Sequence, residues 1–339
     1  MTVHAPYADD LILGIPLQAA PSITIDSGVA ATYQAITGDA LRLPLSQPDS
    51  LAVAGGDRRL ANPALVLQIA IGQSTVATAR VIANLFYRSV ALRRQVRLGD
   101  TLSTQVTPTA LELTKSEVAP RRAKVLLRIQ TTDDRGERVA DFERLALLPC
   151  RDAETVMEGG QIGAADQNTP LTEYLPFIPE WNFQKFPTEN RGAAGVLADP
   201  LSDTVSNALE LVRLTQNLAA AHRDPARGIG GRRLVYGGHA IGMAQASLAR
   251  MVPGLMTVLG WRSCSHTAPV FEGDVLDFEH EVTDRHVVGG GVELFGLKVT
   301  VRARRHDSHS SRAERTEVLD WRPVALVKTA NNIEIGETK

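Results

Sequence analysis

The chain has 339 residues, 44% hydrophobic and 22% charged, with a formal net charge of −2. That length allows two domains or one doubled domain with a sizeable buried core, and the near-neutral balance gives no electrostatic case for a nucleic-acid partner. Cys150 and Cys264 sit far apart with no CxxC spacing, which excludes a zinc site or a disulfide framework and fits a reducing, cytoplasmic setting.

Taken in chain order, the N-terminus places Asp9 and Asp10 before any apolar run, unlike a secretory signal, and no run of about 18 uncharged apolar residues follows to span a membrane. Residues 62–83, NPALVLQIAIGQSTVATARVIA, read as a helix of small and apolar residues. NLFYRSVALRRQVRLGDTLSTQV (84–106) follows, then strands over 123–149 with a hairpin signal at Asp133-Asp134-Arg135-Gly136. Residues 151–200 carry Pro170, Pro176, Pro179, Pro187 and Pro200 and read as a long connector over the surface.

The same order then returns. YGGHAIGMAQASLARMVPG (236–254) reads as a second helix of small residues, with Ile241, Ala244, Leu248 and Met251 as its buried stripe. VLGWRSCSHTAPVFEGDVLDFEHEV (258–282) aligns with 84–106 when Gly99-Asp100 is set against Gly273-Asp274. Arg88-Ser89 then meets Arg262-Ser263, Tyr87 meets Trp261, and Val96 meets Val270. GGVELFGLKVTVRARR (290–305) supplies further strands, and the Gly289–Gly291 run has turn chemistry. Each half is therefore a helix followed by antiparallel strands, an α+β arrangement with one strongly curved sheet per helix. The expected organisation is an N-terminal half (1–150), a connector (151–200) and a C-terminal half (201–339).

At these residues the chain resembles the MaoC-like, R-specific enoyl-CoA hydratase family in its double hot-dog form, in which a curved antiparallel sheet wraps a long central helix. RLVYGGH and VFEGD resemble the mesaconyl-CoA hydratase branch. The family motif is S/T-G-D-x-N-P-I/V-H, whose Asp and His hold and activate water, while a later Gly at the central helix N-terminus donates its N–H to the thioester oxygen. The first half, ITGDALRLPL (36–45), keeps Thr37, Gly38 and Asp39 but has Pro44 in place of the His. The second, LTQNLAAAHRD (214–224), keeps Thr215 and His222 but has Gln216 and Asn217 in place of Gly and Asp.

The helix starts differ too. Gly237-Gly238 aligns with Pro63-Ala64, and proline has no N–H to donate. The resemblance therefore implies a site in the C-terminal half, with His222 as acid–base, Asn217 orienting water, and Gly237 and Gly238 as oxyanion donors. Asp39, His239 and His266 are further candidates for touching substrate, with a relic role, a structural hydrogen bond and a strand position as their respective alternatives. Arg88 and Arg262 recur in both halves and read as structural; Arg121 and Arg122, with Lys115 and Lys124, read as a solvated face with CoA phosphates as the alternative. The implied activity is hydration of an enoyl-CoA, or the reverse dehydration, with a branched or dicarboxylic short acyl group. A thioesterase and a non-catalytic acyl-CoA binder are the competing readings. CoA enters as part of the substrate, with no separate cofactor and no metal; no nucleic-acid or membrane partner is expected, and a homodimer is the expected assembly, with a monomer as the alternative because two fused hot-dogs already form the pseudo-dimer.

Overall fold

The computed structural model describes residues 5–115, 121–152, 154–155, 158–164, 169–187, 196–305 and 314–329. Met1–His4, part of the N-terminus read above, lie outside them. The first half runs β1 (Ile23–Thr24), α1 (Ser27–Thr37), α2 (Arg42–Leu45), α3 (Gln47–Ala54), α4 (Pro63–Gln73), β2 (Ala83–Arg88), β3 (Val90–Ala91), β4 (Thr101–Leu113), β5 (Arg122–Thr132) and β6 (Arg138–Pro149). The connector adds β7 (Glu158–Gly159) and β8 (Val196–Ala198). The second half runs β9 (Asp203–Thr204), α5 (Ala208–Leu214), α6 (Gly237–Met251), β10 (Leu255–Ser265), β11 (Val275–Gly289), β12 (Val292–Arg305) and β13 (Glu314–Lys328).

The repeat seen in the sequence is a repeat of topology. After its helix, the first copy orders its sheet β4-β5-β6-β2 and the second orders its sheet β11-β12-β13-β10, antiparallel throughout. In both, the strand leaving the helix pairs with the last strand of the copy. Strand β3 crosses over to pair with β10, opposing Val90 to Trp261, so the two sheets are stitched together. Tyr87 and Trp261, matched by the sequence register, meet edge to face with centroids 5.7 Å apart.

Residues Pro63–Gln73 of α4 are all buried, as are Gly238–Leu248 of α6. A single buried stripe on α6 was the expectation. Burial on all sides is the outcome, because each helix is enclosed by its sheet, the opposite helix and the other copy's motif helix: Gly242 of α6 lies against Thr37 and Tyr33 of α1, and Gly72 of α4 against Thr215 at the end of α5. Such enclosure needs small residues at the crossings. A Cβ on Gly72 would overlap the backbone carbonyl of Thr215. The helices run antiparallel, since Gln245 of α6 bonds Asn62 at the start of α4 while Tyr236, just before α6, bonds Gln68 in α4. Leu65, Ile69, Ile241 and Met243 belong to one apolar cluster, so the halves share a core.

The connector is more than a surface strap. Its Leu171, Tyr174 and Phe186 are buried against Met256, Leu259 and Val324, and β7 and β8 extend the sheets at β4 and β11. In the described part of the connector these apolar side chains, not the prolines, decide where the backbone lies. The Asp133 carboxylate closes the β5–β6 turn by accepting from Arg135 N and Glu137 N, and Gly290 and Gly291, at φ 60° and 73°, make the β11–β12 turn. Among the described residues no helix is long and apolar enough to cross a membrane.

Candidate active site

The second copy's motif forms a loop between α5 and α6. Thr215 ends α5 by donating its hydroxyl to Leu211 O (2.8 Å). Gln216 takes a left-handed φ of 56°, where Gly38 of the first copy has 65°. The turn the family builds with glycine is thus retained with a side chain on it, a strain of roughly 1–2 kcal/mol. Asn217 is buried, and its Oδ1 accepts from Ala219 N at 2.9 Å while its carbonyl accepts from Arg223 Nε at 2.8 Å. Its visible work is to shape the loop that delivers His222, in the capping manner of a short polar side chain.

His222 closes a short turn, Ala220–His222, and is partly buried, its Nδ1 lying 3.0 Å from Leu234 O. A carbonyl only accepts, so Nδ1 carries the proton and the lone pair sits on Nε2. Burial pushes the imidazole down to about 4; the Leu234 bond opposes this and the Arg144 charge adds to it. At neutral pH His222 is therefore an uncharged ring with a free basic nitrogen. Its ring lies 5.6 Å from that of Tyr236, which immediately precedes α6.

Helix α6 begins at Gly237 with no side chain capping it. Its first closed bond is His239 N to Tyr236 O at 2.8 Å, and the amides of Gly237 and Gly238 find no acceptor among the described residues. A Cβ on Gly237 would overlap the His266 ring, and one on Gly238 would overlap the Tyr236 ring. Glycine at both places is thus demanded by close packing of aromatic rings as well as by exposure of the amides. His266 is held neutral, pushed down to about 4 by burial and then by His222 and Arg144. His222, Gly237 and His266 are all only partly buried. The predicted residues His222, Gly237, Gly238 and His266 are therefore brought together around one helix start, with Asn217 behind the loop.

Asp39 and His239 are not. Asp39 is 1% exposed; its Oδ1 accepts from Leu41 N (2.8 Å), and its Oδ2 accepts from Asn62 Nδ2 (2.6 Å) and from Gln245 Nε2. Contact with substrate is corrected to a structural role, because both oxygens are already satisfied inside the core. Burial raises its pKa, and these hydrogen bonds pull the other way. His239 is fully buried, and neither ring nitrogen has a hydrogen-bond partner among the described residues. Both contact with substrate and the structural hydrogen bond are corrected: the ring packs as an apolar group in the position that the repeat register gives to Leu65. Burial alone pushes it down to about 4.

Sequence reading missed Arg144. It is 4% exposed on the inner face of β6, level with Phe142 and Ala146. Its Nε donates to Asn84 Oδ1 at 2.7 Å, and its Nη1 to Ser74 Oγ (3.2 Å) and Thr78 Oγ1 (3.3 Å). Period-two alternation along 140–148 puts it on the core face, which was the available signal; a lone arginine in a strand is normally read as exposed. Four of the other basic residues singled out in the sequence have local partners. Arg88 pairs with Glu143, Arg262 with Asp284, and Lys124 with Glu112, while Arg121 donates to Thr155 O.

Ser247, His280 and Asp199 make a hydroxyl–imidazole–carboxylate cluster elsewhere. Ser247 Oγ donates to Asp199 (2.6 Å), so the imidazole 2.7 Å away must donate to Oγ. That order leaves no base on the hydroxyl, and the cluster ties α6 to β11 instead of activating a nucleophile. A cleft of about 790 Å³ lies beside the motif loop, walled by Leu11, Ile15, Leu17, Val76 and Leu218 and edged by Arg213 and Arg223. Its lining includes neighbours of Asn217 and His222 in the chain, but not His222, Gly237, Gly238 or His266 themselves.

The chain belongs to the MaoC-like proteins in their double hot-dog form. It is 39% identical to a conserved hypothetical protein of Mycobacterium tuberculosis described as having a double hotdog fold, over 96% of this chain and 99% of that one, with a TM-score of 0.84. A putative MaoC domain protein dehydratase of Chloroflexus aurantiacus shares the fold at a TM-score of 0.85 and 22% identity, over 97% and 99% of the two chains. Among characterised relatives it is 25% identical to mesaconyl-CoA hydratase of Cereibacter sphaeroides, over 91% of this chain and 92% of that protein. It is 24% identical to beta-methylmalyl-CoA dehydratase of Chloroflexus aurantiacus, over 89% of each. No family model matches the chain.

Proposed function

We propose that the second copy adds water to, or removes it from, a 2-enoyl-CoA thioester, with a short branched dicarboxylic acyl group such as mesaconyl as the substrate the named relatives favour. The observation that carries the reading is the state of His222: Nδ1–H is committed to Leu234 O, and among the described residues Nε2 has no hydrogen-bond partner and the first amides of the neighbouring helix have no acceptor. Nε2 takes a proton from water as its oxygen attacks C3. The resulting imidazolium returns that proton to C2. Electron density moving onto the thioester oxygen is met by the N–H groups of Gly237 and Gly238 and by the positive end of α6, donors of a kind worth about 3 kcal/mol each. The cleft beside the loop, with an apolar wall and the cationic Arg213 and Arg223 at its edge, suits the pantetheine and phosphates of CoA. The soluble, cytoplasmic setting and a homodimer belong to the same reading.

The test is incubation of the full chain with a panel of enoyl-CoA esters, following enoyl absorbance and free thiol separately. Loss of absorbance without thiol is expected. Thiol release would replace hydration with thioester hydrolysis, and tight binding without either signal would leave only an acyl-CoA binder.

A further inference from the structure

Resting on the hydratase reading, we propose that Arg144 recognises a free carboxylate on the acyl group and so makes the site selective for half-thioesters of dicarboxylic acids. Arg144 is a buried guanidinium whose hydrogen-bond partners are neutral: Asn84, Ser74 and Thr78. No carboxylate of the described residues lies within ion-pairing distance of it; neighbouring Glu143, on the opposite face of the strand, is taken by Arg88. Nη2 makes no hydrogen bond to the described residues. A buried cation without a counter-ion is unfavourable unless something supplies the anion, and a guanidinium edge suits a carboxylate.

Its position says where that anion would come from. Ser74 and Thr78 alternate with Thr75 and Ala79, and these accept from Leu218 N (2.7 Å) and Ala220 N (2.9 Å), in the loop that ends in His222. The guanidinium thus stands behind the base-bearing loop, close enough for its charge to act on both His222 and His266. The repeat supplies a control. Arg144 opposes Tyr87 across the first sheet, whereas Trp261, the counterpart of Tyr87, is opposed by Pro323. The place that holds the cation in the first sheet, behind the His222 loop, holds proline in the second sheet.

Fumaryl-CoA and crotonyl-CoA differ by a carboxylate in place of a methyl group on C3. Wild-type protein is expected to favour fumaryl-CoA in kcat/KM by at least about tenfold. Arg144→Gln should lower kcat/KM on fumaryl-CoA by about 100-fold, chiefly through KM, and change that on crotonyl-CoA by less than about threefold. Arg144→Lys should recover about tenfold on fumaryl-CoA. Equal losses on both esters, or a wild-type enzyme indifferent to the carboxylate, would overturn the assignment. If Arg144→Gln does not fold, the wild-type preference and its response to Arg144→Lys decide. If wild type hydrates neither ester, the hydratase reading fails separately, and equilibrium binding then decides. Tighter binding of fumaryl-CoA, lost in Arg144→Gln, supports the carboxylate site; equal affinities refute it.

Discussion

The two central helices begin in opposite ways. Helix α4 opens with Asn62-Pro63, whose asparagine accepts from Ala64 N (2.9 Å) and Leu65 N (3.4 Å) and whose proline has no amide. Every donor that a ligand could use is covered or missing. Helix α6 opens with Tyr236-Gly237-Gly238 and no side-chain cap. The loops facing them diverge in step. The first copy keeps the carboxylate of Asp39 but continues into α2, which contains Pro44, while the second gives up the carboxylate and keeps the imidazole of His222. Once two copies share one chain and one core, one helix start can be closed for stability and the other left open for chemistry. The same fold therefore holds a sealed end and an open end, and neither copy alone explains the other's residues.

The largest expected separation between the ends is kinetic. His222→Ala should cut kcat/KM for enoyl-CoA hydration by about 10²–10⁴, whereas Asp39→Ala should leave it within about threefold; the reverse ranking would move the open end to the first copy. Gly237→Ala comes next. The added Cβ must displace the His266 ring, and a shift of this size at a reacting centre is worth up to about 100-fold in kcat, read against an unchanged melting temperature.

Acid should also act through the second copy, because every described histidine belongs to it. His222, His239, His266 and His280 are each pushed by burial from 6.5 to about 4. Between those values the unfolded chain binds more protons than the folded one, so stability falls as pH drops from about 6.5 toward 4. Urea melts at stepped pH should show this slope. His239→Leu, which installs the residue found at Leu65, should flatten it and add about 1–2 kcal/mol at neutral pH, since a buried ring with unpartnered nitrogens is replaced by an apolar side chain. The smallest effect is at the sealed end: Asn62→Ala should lower stability by about 1–2 kcal/mol through loss of the cap, with turnover unchanged.

Much of this asymmetry was legible in the sequence, because it is written in local terms. The matched Gly-Asp pairs exposed the repeat, and Pro63 against Gly237 showed which helix start could donate. Three features lay beyond local reading. The full burial of α4 and α6 depends on each helix meeting the other, a long-range contact that a periodicity of 3.6 residues does not contain. The packing of His266 on Gly237 joins a strand end to a helix start 29 residues earlier in the chain. Arg144 and its partners Asn84, Ser74 and Thr78 belong to the first copy, yet the loop packed against the neighbouring Thr75 and Ala79 belongs to the second.

The Asp39–Gln245 bond has a mechanical consequence. Gln245 lies seven residues after Gly238 on the same helix, about 10 Å along a stiff rod at 1.5 Å per residue. A carboxylate anchored to Leu41 and Asn62 therefore limits how far α6 can slide along its axis. The first copy thereby braces the middle of the helix whose start carries the second copy's amides.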